Sequence, residues 1–201
     1  FSSRAIRNRA TLGGNLATAS PIGDSAPVLL ALGAELVLRK RGSERRLPLS
    51  EFFTGYRRTS LEHGELIVAV RIPAPFPERQ RFYKVSKRVC DDISTVSAAF
   101  GLSLDSSGRV RSLTAAFGGV AATPLLAMSL TGAAVGRPWD AATLALLLGE
   151  VGSLGTPQSD VRGSAEYRRH MMGQLLRQFF YETEGPATLT RVAANDTQGA
   201  Q

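Results

Sequence analysis

Strand and helix patterns alternate along the chain in a fixed order. Residues 34–40, "AELVLRK", alternate apolar and polar positions, "RGSE" supplies a turn and "RRLPL" returns, which together predict a hairpin. Before it, "APVLLALG" reads as a short helix with Asp24 or Ser25 as its cap, Pro27 in its first turn and Gly33 at its end. "SEFFTGY" predicts one helical turn capped by Ser50, and the β-branched run "ELIVAVRIP" predicts a strand ending at Pro73. A second strand set follows: "QRFYKVSKR", then two strands in "STVSAAFGLSLDSSGRVRSLTAAFGG" around an Asp-Ser-Ser-Gly turn. Three helices complete the pattern. "TPLLAMSLTGAAVG" carries a Thr cap and a first-turn Pro, "WDAATLALLLGEVG" carries Asp140 near its start, and "SAEYRRHMMGQLLRQFFYETE" is the longest. In the last of these, Ala165, Met172, Leu175, Leu176, Phe179 and Phe180 recur mostly at three- and four-residue steps.

The fold class is therefore α+β: an antiparallel or mixed sheet with helices, then a small three-stranded antiparallel sheet with helices on it. Pro73, Pro75 and Pro77 resist both helix and central strand, so the boundary between two units falls there. The expected division is 1–76, 80–183, and a small, polar, disordered tail at 184–201.

One stretch fits neither periodicity. "RATLGGNLATASPIGDSAP" runs nineteen residues with Leu12, Leu16 and Ile22 as its only bulky apolar groups. It reads as a loop whose backbone and small hydroxyl groups approach something that is not protein. Gly13 and Gly14 lack a Cβ, so their N–H groups can come close to an anion. Thr11, Thr18 and Ser20 add hydroxyls, Asn15 both donates and accepts, and Asp24 could accept from sugar hydroxyls. The set suits a phosphate-and-sugar ligand such as a dinucleotide, although it is neither of the familiar glycine-rich nucleotide fingerprints. A tight turn is the structural alternative for a Gly-Gly pair.

Composition narrows the chemistry. One cysteine, Cys90, excludes an internal disulfide and any cysteine-ligated zinc or iron–sulfur site on these 201 residues, and with two histidines no metal centre is expected. The net charge is +7, but the basic residues come as scattered pairs without interleaved aromatics, so a solvated basic surface or a face for an acidic partner subunit is expected, and not a nucleic-acid site. No run of about eighteen apolar residues is present, which predicts no membrane helix. With no signal-peptide pattern visible, a cytoplasmic location is expected. The chain begins with Phe1 instead of Met, so a processed chain or a piece of a longer one is expected.

"IRNRATLGGNLATASPIGDSAPVLLALGAELVLR" strongly resembles the FAD-binding module of the molybdenum hydroxylases, bacterial xanthine dehydrogenases most of all. The likeness continues through "LPLSEFFTGYRRTSLEHGELIVAVRIP", "FYKVSKRVCDDISTVSAAFGLSL", "AFGGVAATPLLA" and "SAEYRR", and covers residues 1–183 in order. It implies the second FAD subdomain followed by the small C-terminal domain of the flavoprotein. By position it implies that Phe1 lies by the isoalloxazine ring and that Thr11, Gly14, Asn15 and Thr18 fall on a loop around the FAD phosphates and ribityl chain. Asp24 matches an acidic FAD contact, Ile67 a strand whose backbone meets the flavin, and Lys84 a basic flavin contact. Read alone, Ile67 would be a plain core position and Lys84 an exposed strand residue.

The adjacent carboxylates Asp91 and Asp92 diverge in direction and make a poor acid/base pair by themselves; a turn or cap is the structural reading. The resemblance sets them near the flavin, with Val89 and Cys90 standing where many relatives carry charge. No catalytic residue is expected on this chain. The resemblance implies purine hydroxylation at molybdenum on another chain, with electrons passing through iron–sulfur clusters to FAD here and then to NAD. The implied partners are an upstream FAD subdomain with an iron–sulfur domain and a molybdenum-binding subunit. The chain alone is expected to hold FAD weakly and to be inactive. A sister hydroxylase acting on carbon monoxide, nicotinate or an aldehyde, and a flavin-free docking module, are the rival readings.

Overall fold

The computed structural model describes residues 2–89 and 91–184. The Phe1 and Cys90 expectations and the tail from 185 lie outside the described residues.

The chain opens with two short helices, α1 (Arg4–Arg7) and α2 (Leu12–Ala17), and then α3 (Ser25–Ala31). The glycine-rich stretch is thus a helix start where a loop was expected. Thr11 caps α2, its Oγ1 accepting from Gly14 N at 3.0 Å, and Leu16 and Ala19 are buried, which anchors the turn to the core. Asp24 occupies the cap position of α3 without making a cap bond, because its carboxylate is engaged elsewhere.

The expected hairpin is β1 (Glu35–Lys40) against β2 (Ser43–Pro48), and β1 also pairs with β5 (Leu66–Arg71) in an antiparallel sheet of order β2-β1-β5. The register shifts by one residue where Val37 faces Ala69 and Leu38 faces Ile67. The extra residue, Val68, is a bulge, so Val68 and Ala69 both face out while Ile67 and Val70 turn inward. Between β2 and β5, residues Leu49–Glu51 form a single 3-10 turn that follows Pro48, so Ser50 lies inside the turn and does not cap it. A small ribbon of β3 (Phe53–Gly55) and β4 (Arg58–Thr59) comes next.

Arg45 ties this sheet to the turn ahead of β5. Its Nε and Nη2 bond the two oxygens of Glu65 at 2.8 Å, and Nη2 also reaches Ser60 O. The Arg45 bond, with help from the Glu62 N–H, holds the Glu65 carboxyl at about 2, below its ordinary 4.5. A depressed folded pKa contributes stability that is complete above the unfolded value and is lost as pH falls through the folded one. Acid titration of stability should therefore show a component between pH 4.5 and about 2, and Glu65→Gln should remove it; an unchanged acid limb in that variant would refute the assignment.

After the Pro-rich segment, β6 (Arg79–Val85), β7 (Val96–Leu104) and β8 (Val110–Gly118) form the expected antiparallel meander. A fourth, two-residue strand, β9 (Leu125–Leu126), extends it. Thr123 and Pro124 lead into that strand, so α4 (Met128–Ala134) begins later than the Thr-Pro signal suggests. Asp140 and Ser164 cap α5 (Ala141–Ser153) and α6 (Ala165–Thr183).

Two apolar clusters result. One lies between the β6–β9 sheet and α4–α6, with Phe100 stacked on Phe179 at 4.9 Å and Trp139 against Phe180. The other surrounds α3 and β1 but takes in Ala99 and Ala116 from the far face of β7 and β8. α3 is therefore shared between the two sheets. Among the described residues, no helix is long and apolar enough to cross a membrane.

Candidate functional site

Most of the residues singled out from sequence converge. Thr11, Gly14, Asn15 and Thr18 lie on or beside α2, which rests on β5: a Cβ at Gly13 would sit 3.5 Å from the Cβ of Ile67. Asn15 Oδ1 accepts from Ser25 Oγ, joining α2 to the start of α3. Asp24 immediately precedes Ser25. Its Oδ2 accepts from Lys84 Nζ at 2.7 Å and its Oδ1 from Ser94 Oγ. The same ammonium donates to Asp92 O at 2.7 Å, closing the loop between β6 and β7 over the pair. The Asp24 side chain is 6% exposed and that of Lys84 25%.

Sequence reasoning treated Asp24 and Lys84 as separate ligand contacts; folded, they form one ion pair with a hydroxyl attached. Ser94 was missed. No local pattern marks it, because it meets Asp24 only across seventy positions of chain.

The adjacent carboxylates do diverge. Asp91 Oδ1 accepts from Ser3 N at 2.7 Å, tying the opening segment to the loop, with Asp91 itself at φ +48°. Asp92 Oδ2 accepts from Arg88 N and Oδ1 from Ile93 N, and these bonds lower its pKa, the Arg88 amide first. Asp92 is thus a loop staple, and Asp91 a strut to the N-terminal segment.

Arg168 was also missed, although it left a signal: it falls at the i, i+4 and i+7 spacing with Met172 and Leu175, a cation on the apolar stripe of α6. It is 3% exposed. Nη1 donates to Thr95 O and Gly119 O, and Nη2 to Asp160 Oδ1 at 2.7 Å. Beside it opens a cleft of about 500 Å³, lined among others by Ser20, Tyr56, Arg57, Thr156, Gln158 and Arg162. Arg57 stands at φ +52° at the tip of the β3–β4 ribbon, its guanidinium 5.9 Å from the Tyr56 ring.

The residues present suit a dinucleotide cofactor. A Cβ at Gly14 would meet nothing within 4 Å except Thr11 Oγ1, so that side of α2 is open for an approach to the backbone. The first amides of a helix have no intrahelical acceptor; in α2 Gly14 N is taken by Thr11 Oγ1, which leaves those of Leu12 and Gly13. Lys84 sets a cation on Asp24, the residue next to the Ser25 that α2 bonds through Asn15.

Residues 1–75 match the family described as FAD binding domain in molybdopterin dehydrogenase, and residues 81–183 match the CO dehydrogenase flavoprotein C-terminal domain. The chain belongs to the FAD-binding flavoproteins of the molybdenum hydroxylases. It is 40% identical over 187 residues to a nicotinate hydroxylase of Emericella nidulans, covering 90% of this chain and 14% of that one. It is 32% identical to the xanthine dehydrogenase FAD-binding subunit of Escherichia coli O157:H7, covering 90% of this chain and 63% of the subunit. The flavoprotein also superposes on reconstituted CO dehydrogenase from Oligotropha carboxidovorans with a TM-score of 0.82 and 32% identity, over 89% of this chain and 62% of that one. The chain thus spans a seventh of the nicotinate hydroxylase and under two thirds of the separate subunits. FAD is the cofactor of this family's domain, and the relatives are oxidoreductases.

Proposed function

We propose that this flavoprotein holds FAD within a xanthine dehydrogenase-type hydroxylase, with residues 1–76 and 80–183 as the two units that shape the site. Electrons would arrive from iron–sulfur clusters and leave to NAD, while a molybdenum-binding subunit oxidises the purine. FAD, when bound, accepts electrons one at a time and releases them as hydride, which is why a flavin stands between clusters and a nicotinamide.

The observation that carries this reading is the chain of contacts that joins α2, through Asn15 and Ser25, to the buried Lys84–Asp24–Ser94 cluster. At one end, Thr11 orders the helix start and Gly14 keeps it open. At the other, Lys84 supplies positive potential where negative charge develops on reduction, and Asp24 and Asp92 O hold the ammonium in place. Ile67 contributes an apolar floor that excludes water, and its strand is one of the two edges of the β2-β1-β5 sheet. Thr18 turns its hydroxyl back to Gly14 O at 2.8 Å, so its part is to hold the last turn of α2. The cleft beside Tyr56, Arg57 and Arg162 supports an anionic dinucleotide acceptor, since it offers an aromatic face and two guanidinium groups.

Gly14→Val tests the reading. The new Cβ displaces the Thr11 hydroxyl from 2.8 Å, and the branched methyls fill the open face. Loss of the cap costs about 1 kcal/mol, while leaving glycine in a helix recovers a few tenths. In the intact flavin module the variant should stay folded but lose bound FAD, read as flavin absorbance per polypeptide. Full flavin content would sink the assignment, and a wild-type protein that never binds FAD would favour the docking-module reading.

The 40% identity to nicotinate hydroxylase supports a second reading of the parent reaction, with nicotinate as the molecule oxidised. Turnover of xanthine against nicotinate by the assembled enzyme separates the two.

A further inference from the structure

Burying Arg168 is expensive. Removing a guanidinium from water costs several kcal/mol, and its acidic partner Asp160 is 46% exposed at the side chain, so the pair is only half shielded. Filling space could be left to an apolar residue, as at Met172 and Leu175 on the same face. The donors show what the charge does. Nη1 bonds two backbone carbonyls, those of Thr95 and Gly119. Each of these residues is bonded in turn, through its own N–H, to a segment carrying one half of the ion pair. Thr95 N donates to Val85 O at 2.7 Å, next to Lys84, and Ser94 beside it donates to Asp24. Gly119 N donates to Pro21 O at 2.8 Å, in the turn that leads to Asp24.

We propose that Arg168 is a positioning residue for the flavin site: its fork clamps the Thr95 and Gly119 carbonyls and thereby fixes Ser94, Asp24 and Lys84 relative to one another. The proposal rests on the flavin reading above. A planar fork is required, because three acceptors on three different segments are met from one end group; a lysine ammonium would have to reach them as a point charge on a flexible stem. Asp160 completes the clamp. Its pKa is lowered, with the Arg162 amide and the Arg168 guanidinium overcoming its own desolvation, so it is held ionised opposite Arg168.

The test uses the full-length protein with Arg168→Lys, Ser94→Ala and the double variant. It reads the FAD dissociation constant, the flavin midpoint potential and the urea unfolding midpoint. Losing the Ser94 donor leaves Asp24 less compensated and the local potential more negative, so both single variants should lower the flavin potential. Each should raise the FAD dissociation constant about tenfold, and the double variant no more than the larger single, since both act through one chain of contacts. A lowered unfolding midpoint with wild-type flavin potential and affinity in Arg168→Lys would overturn the proposal, as would fully additive effects. If Arg168→Lys does not accumulate folded, Asp160→Ala releases one arm of the clamp: a downward shift supports the proposal and a wild-type potential overturns it. Absence of stoichiometric FAD in the wild-type protein sinks the flavin reading itself and is seen before any variant is compared.

Discussion

Replacing Lys84 by Met is expected to destabilise the protein by about 3 kcal/mol and to slow electron transfer out of the flavin. Removing one partner of a buried ion pair strands the other, which costs roughly 3–5 kcal/mol where both are enclosed; Lys84 is a quarter exposed, which moves the figure to the low end. Asp24 would keep Ser94 as a donor but lose the cation at 2.7 Å. A second substitution shows that the cost belongs to the pair. Asp24→Leu in the Lys84→Met background should recover part of the lost stability, because an apolar pair of similar volume leaves no uncompensated charge. Under the proposed function, acceptor reduction should fall while reduction of the molybdenum and cluster centres by substrate stays near wild type. Rapid kinetics in which the molybdenum step slowed and the flavin steps did not would remove Lys84 from the site. Urea unfolding midpoints for the two singles and the double close the cycle.

That ion pair also marks the limit of what the sequence could tell. Elements with one strong local signal were legible: the β1–β2 turn, the start of α5 at Asp140 and the stripe of α6 all declare themselves within a few residues. Errors came where a tertiary partner outcompeted the local preference. Thr123-Pro124 has the signature of a helix start, yet Leu125 and Leu126 pair with Phe117 and Ala116 at the edge of the second sheet, which delays α4 to Met128. Ser50 could cap a helix, but the chain must bury Phe52 and enter β3 three residues later, and one 3-10 turn is all the space allows. The glycine-rich stretch looked too poor in bulk for a core, and the error was to count side chains singly: Leu16, Ala19 and Ala26 are small or isolated, but each is buried.

For the site, family likeness supplied candidate residues, and the fold alone supplied their connections. "TLGGN" and "SPIGD" point to the cofactor surface, but nothing in either says that Asp24 hands its carboxylate to Lys84 and Ser94, sixty and seventy positions away. Arg168 and Gly119 lie in the quoted stretches "SAEYRR" and "AFGGVAATPLLA", and a charge on an apolar stripe could have raised the question. The answer needed the fold, because every acceptor of Arg168 is on another segment.

Gly119→Ala should be among the most damaging single-methyl changes in the chain, lowering stability by about 3 kcal/mol. Gly119 adopts φ +81°, where an L side chain costs roughly 1–2 kcal/mol. Its Cβ would lie 2.5 Å from Thr95 O and 3.1 Å from Arg168 Nη1. A backbone oxygen one residue ahead of β7 cannot move aside as a flexible side chain would, and forced displacement in a packed region adds roughly 1–3 kcal/mol. Gly136 supplies the control: it has the same φ of +81°, and a Cβ there would meet nothing within 4 Å. Gly136→Ala should therefore show the conformational cost alone, about 1 kcal/mol, and the difference between the two variants isolates the contact. For a chain of this length a 3 kcal/mol loss lowers the melting temperature by about 10 °C. Because Gly119 also carries one of the carbonyls that Arg168 holds and bonds Pro21 ahead of Asp24, its variant should lose FAD before it unfolds, whereas Gly136→Ala should keep it. Equal losses of stability at the two glycines would mean that the Thr95–Gly119–Arg168 junction is looser than the distances require.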